Sequence, residues 1–220
     1  SVMTWITREL MSDRLSPLYA LVILAALLLP IWSALSTQRS VGRIQAIKSG
    51  EMNPLEHAQR LSDQVRVADP AEWEATARAL YANDAEQSAL TITLLERALA
   101  SAPSDYQAWA FLAFVRQQST ERFTAAVDAD LNRSFEACPY CDKSLLRWRF
   151  TFVLANWDDV SEANRMHAFS GADFLRWWHL DYDYLEDVRQ AAMARNIPFD
   201  TYRRKIDTPA RPNEIGLGQD

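Results

Sequence analysis

The chain has 220 residues, with 23 Lys and Arg against 29 Asp and Glu, and a formal charge of −6. That charge is spread along the chain rather than blocked, which argues against a nucleic acid as the partner, since phosphate binding needs a basic face. Apolar residues make up 49%, glycine is scarce at five and β-branched runs are short, which favours helix over sheet. Two cysteines exclude a disulfide framework and allow one bridge at most.

In chain order, 1–14 is a short polar tail. Residues 15–38 then run without a charge, LSPLYALVILAALLLPIWSALSTQ. At 1.5 Å per residue about 20 such residues cross a hydrocarbon core. Tyr19 and Trp32 stand near the two ends, where aromatic belts lie. The run is long for a signal-peptide core and Ser-Ala-Leu-Ser is a poor cleavage site, so the expectation is an uncleaved transmembrane helix over 15–38. Arg39, Arg43 and Lys48 beyond it point weakly to a cytoplasmic C-terminal domain, but long domains translocate regardless of such counts. The expected site is the bacterial inner membrane with a periplasmic C-terminal domain, a cytoplasmic one being the alternative.

Val41, Ile44 and Ile47 recur at helical spacing, Ser49-Gly50 and Asn53-Pro54 break the run, and Leu55–Val67 restarts it; 39–69 reads as a helical stalk with His57 solvated. From residue 70 a repeat emerges. Prolines stand at 70, 103 and 139. LERALASAPSDYQAW (95–109) lies over LNRSFEACPYCDKSL (131–145): Leu95 meets Leu131, Ala98 meets Ser134, Leu99 meets Phe135 and Pro103 meets Pro139. Past the turn, Trp109 meets Leu145 and Leu112 meets Trp148.

Over about 70–157 this pattern resembles the tetratricopeptide repeat family. Trp109, Leu112 and Ala113 stand at the Trp, Leu and small positions of that repeat's first helix, and Leu95, Ala98 and Pro103 at the end of the preceding unit. Arg116 departs from the expected aromatic, and Arg149 from the expected small residue after Trp148. With the apolar run at 15–38, the resemblance implies an all-α chain: a transmembrane helix followed by a helical-repeat solenoid over 70–196 that ends in a capping helix. It implies architecture and stacked helix pairs, not chemistry.

CPYC (138–141) spells a glutaredoxin active site, but the overlay sets Cys138 over Ala102 and Cys141 over Asp105, so the motif is the inter-repeat turn. TAAVDADLNRSFEA before it is helical in spacing, not a strand. The expectation is a structural thiol pair or a disulfide between Cys138 and Cys141. A zinc site would need His167 and His179 at spacings that match no common finger. Asp158-Asp159 read as a helix start rather than a catalytic pair.

FLRWWHLDYDYLEDVRQAAMARN (174–196) crowds aromatics beside carboxylates. It reads as the capping helix, with Phe174, Trp177 or Trp178, Leu185 and Val188 covering the last repeat, or as a surface for a sugar or a protein. Residues 197–220, rich in Pro and Gly, read as an irregular tail.

No P-loop, nucleophile elbow or HExxH occurs, so no enzyme, cofactor or metal is expected. The functional expectation is a membrane-anchored scaffold for protein partners, laid out like accessory proteins of bacterial exopolysaccharide and envelope systems. Tyr106, Gln107, Arg116, Trp177, Trp178 and Tyr182 are the candidate contacts. The alternatives are an envelope thiol-disulfide oxidoreductase using Cys138 and Cys141, or a carbohydrate-binding module using the aromatics of 177–184.

Overall fold

The computed structural model describes residues 38–65 and 69–207, which are helical with no strand among them. The chain divides into two units, Ser1–Met52 and Asn53–Asp220. In the first, residues 38–48 form a helix. It closes at Gly50, whose φ of 77° supplies the left-handed turn that a residue with a Cβ resists. The expected tail 1–14 and transmembrane segment 15–38 lie outside the described residues, position 38 excepted. Among the described residues no helix is long and apolar enough to cross a membrane.

The second unit opens with α1 (Pro54–Ser62), whose first turn is capped by the Asn53 side chain accepting from the Leu55 and Glu56 amides. Three helix pairs follow: α2 (Pro70–Asn83) with α3 (Ser88–Ser101), α4 (Tyr106–Thr120) with α5 (Ala125–Ala137), and α6 (Lys143–Ala155) with α7 (Glu162–Trp177). The closest helix packing is within these pairs. Each first helix starts on an aspartate, Asp69, Asp105 or Asp142, whose carboxylate accepts from first-turn amides. Such a cap contributes about 1 kcal/mol and fixes where the helix begins.

Two apolar clusters form the core. One joins Ala58 and Leu61 of α1 to Trp73, Leu80, Leu94, Leu99 and Leu112. The other runs from Ala113 through Leu131, Phe135, Phe150 and Phe169 to Phe199 and Tyr202. Helix α4 serves both, through Leu112 in the first and Ala113 in the second. Fully burying a side chain of this size stabilises by about 1.5–3 kcal/mol.

Four expectations are corrected. The stalk does not extend to 69, because α1 packs on α2 and α3. His57 on it is buried, with Nε2 2.9 Å from Glu72 Oε1, rather than solvated. The tail is not irregular throughout: α9 (Phe199–Asp207) packs on α7. Pro198 stands just before α9, where its missing amide costs the helix nothing. Residues 208–220 lie outside the described residues. Finally, Asp158 and Asp159 sit in a turn, and α7 starts later, on its Ser161 cap.

Helix α8 (Tyr182–Ala194) and α9 close the last pair. Leu185 and Val188 of α8 pack against the core as expected. Neither Trp177 nor Trp178 does; both are exposed, and the aromatic cover comes from α9. The Phe199 ring lies 5.1 Å from Phe169, and Tyr202 lies 4.8 Å from Trp157, edge to face.

Candidate functional site

Counted from the aspartate caps, the three first helices share one register. Four residues after the cap stand Trp73, Trp109 and Leu146; eight after stand Ala77, Ala113 and Phe150. Of these, Trp73, Leu146 and the eighth-position residues are buried. The turn from Cys138 to Asp142 is one residue longer than that from Ala102 to Asp105. The alignment of Trp109 with Leu145 and of Leu112 with Trp148 is therefore one out. The true partners are Leu146 and Arg149.

Arg149 thus occupies a core position. It is fully buried, and its guanidinium donates to the Ser134 carbonyl at 2.5 Å, the Ser134 hydroxyl at 2.8 Å and the Cys138 carbonyl at 2.7 Å. It lies over the Phe135 ring. Burial lowers its pKa to about 10, still charged at neutral pH. The end of α5 presents the negative pole of a helix with spare carbonyls, which is why a cation is tolerated there.

The shift also turns Trp148 outward. At positions two, six and nine after the caps, one face of the first helices carries Gln107 and Ser144, then Phe111 and Trp148, then Arg78 and Phe114. These residues, with Ala110, Leu145 and Asp142, line a cleft of about 420 Å³ across α2, α4 and α6. Helical periodicity brings such positions onto one stripe. Tyr81 meets Phe111 and Phe114 edge to face. Arg78 lies 4.6 Å over Phe111, pairs with Glu74 at 2.6 Å and donates to the Gln107 carbonyl. Burial raises the Glu74 pKa, against the pull of Arg78. The cleft has an aromatic floor and a charged, hydrogen-bonding edge.

Of the residues expected to make contacts, only Gln107 lines this cleft. Tyr106 does not, although its carbonyl accepts from the Ser134 hydroxyl. Arg116 faces the second helices, held between Glu96 of α3 and Asp130 of α5, the latter at 2.8 Å. Trp177 and Trp178 are exposed at the end of α7, and Tyr182 borders a separate cavity between α7, α8 and α9. Cys138 and Cys141 form a disulfide across the turn, with Cα atoms 5.7 Å apart. Among the described residues no group of His, Cys, Asp and Glu is placed to hold a metal.

Sequence reasoning missed Phe111, Phe114 and Trp148. The signal was present in their spacing from the aspartates, but it required the correct cap for α6. Comparison with family models, curated proteins and solved structures returns no match.

Proposed function

We propose that this chain is a non-enzymatic adaptor of tetratricopeptide-repeat type, anchored in the bacterial inner membrane through 15–38, that holds a segment of a partner protein in the cleft of its first helices. The observation that carries this reading is the recurrence of aromatic positions from helix to helix. Phe111 and Trp148 stand at equivalent sites on α4 and α6, partly buried, packed against the core on one side and lining the cleft on the other. Repeat folds present such faces as extended binding surfaces. Aromatics supply area with little entropy to lose, and Arg78, Gln107 and Ser144 supply orientation.

The thiol-disulfide reading gains less support. The Cys138 carbonyl is held by Arg149, and the turn runs from helix to helix with no strand before it. The test is a pair of cleft variants compared in cells. Ser144→Trp fills the cleft from an exposed position, and Leu145→Asp places a charge in it. Each should remove the same co-purifying partner at unchanged protein level, while Arg122→Ala, away from the cleft, retains it. A partner set unaffected by both cleft variants would overturn the proposal.

A further inference from the structure

The Cys138–Cys141 turn and the end of α7, about 40 residues apart in sequence, build one exposed aromatic surface. Tyr140, inside the disulfide-closed turn, packs on Phe174 with ring centroids 5.0 Å apart. Phe174 in turn stacks on Trp178 at 5.8 Å and 15° and meets Trp177 edge to face at 5.3 Å. The two indoles stand 5.7 Å apart at 83°, forming a right-angled corner. Tyr140 is 54% exposed, Trp177 55% and Trp178 64%, a degree of exposure no core role explains. Leu180 beside them is also exposed, in a turn held by a positive φ of 53°.

We infer that this corner is a binding platform for an uncharged sugar ring of a polysaccharide. Charge decides the class of ligand. The ionic groups around the corner do not sum to an excess of cations: Arg176 pairs with Asp173 at 2.6 Å, Lys143 and Arg147 together with Asp181, and Asp142 and Asp183 stand at the neighbouring helix starts. Binding an anionic lipid surface or a polyanion calls for basic groups in excess, which this balance does not provide. A pyranose offers an apolar C–H face and a rim of hydroxyls. One indole can floor that face while the second walls it, and indole N–H and phenol O–H groups meet the rim, the use for which aromatics with a polar handle are suited. Phe174, packed beneath, and the disulfide, closing the Tyr140 turn, fix the platform before a ligand arrives, so little ordering is required on binding. Tyr182, grouped with the tryptophans in sequence, is not part of it; Tyr140 takes that place. This site is independent of the cleft reading.

The test uses the full chain, ¹⁵N-labelled on its indoles, in a polyoxyethylene detergent, since glycoside detergents would compete. Cellohexaose, mannohexaose and dextran fragments are titrated as uncharged probes, and an oligoalginate as a charged one. At least one neutral oligosaccharide should shift the Trp177 and Trp178 indole signals in a saturable manner while the Trp73 signal stays fixed. Trp178→Ala should weaken that binding at least tenfold, and Tyr140→Ala should weaken it measurably. No saturable shift with any neutral probe overturns the inference. So does a preference for oligoalginate, or a response to phosphatidylglycerol vesicles in the absence of a response to sugars.

Discussion

The guanidinium of Arg149 on α6 donates to both the carbonyl and the hydroxyl of Ser134 at the end of α5, with no carboxylate in that set of contacts. It joins the second and third helix pairs and holds the Cys138 turn through a further bond. Replacement by methionine keeps the volume but leaves buried acceptors unsatisfied. Such a loss costs about 1–3 kcal/mol per group, so Arg149→Met should lower stability by about 3 kcal/mol or more in urea denaturation. Arg149→Lys keeps the charge without the planar fork and should recover less than half.

Asp130 gives the fold a pH dependence of definite sign. Burial raises its pKa from 3.8 to about 6, against Arg116 and Arg133 and with Glu96 adding to the rise. The folded state therefore holds this proton more tightly than the unfolded one. The stability it confers is full below about pH 4 and is lost as pH climbs to about 6. Asp130→Asn should flatten the stability profile between those limits and be no less stable than the parent at pH 7. A variant profile as steep as the parent's would show that another group dominates.

Helix α9 is part of the core. Tyr202 is buried beside Trp157 and Phe169, and its hydroxyl reaches Glu162, as does Lys205 at 2.8 Å. Tyr202→Ala should cost about 3–5 kcal/mol, as large aromatic deletions do. A thermal melt followed by far-ultraviolet circular dichroism reads it; a loss under about 1 kcal/mol would mean the helix docks only loosely.

The Cys138–Cys141 bridge closes too short a loop to add more than about 2 kcal/mol by chain entropy. Because Arg149 holds the same turn, Cys138→Ser with Cys141→Ser should lower stability by no more than that. In cells, maleimide should label the parent's cysteines only after reduction, the outcome expected of a disulfide kept in an oxidising compartment. Labelling without reductant would place the domain with reduced thiols.

Much of the architecture was legible in the sequence because helix periodicity and proline spacing report local geometry. The helical repeat over 70–157 and the turn at CPYC came directly from them; α7 did not, and its last residues from Phe174 read as part of the capping helix. Local signals failed where tertiary packing decided the outcome. His57 reads as solvated from its polar neighbours, yet α1 carries it against Glu72. Phe199–Asp207 reads as irregular from its flanking prolines, yet Phe199 and Tyr202 fill a gap that only the folded α7 creates. The cleft was half visible: Gln107 was identified, but one extra residue in the CPYC turn displaced Trp148 onto the wrong face of α6.

The central claim is that the cleft across α2, α4 and α6 is where a partner protein is held. The most direct measurement places a photo-crosslinking benzoylphenylalanine at Gln107 or Ser144 in the full chain in cells, with Arg122 as the control position. The account predicts that both cleft positions capture the same protein, that Leu145→Asp abolishes the adduct, and that Arg122 captures nothing comparable. Equal yields at all three positions, or none from the cleft, would contradict it.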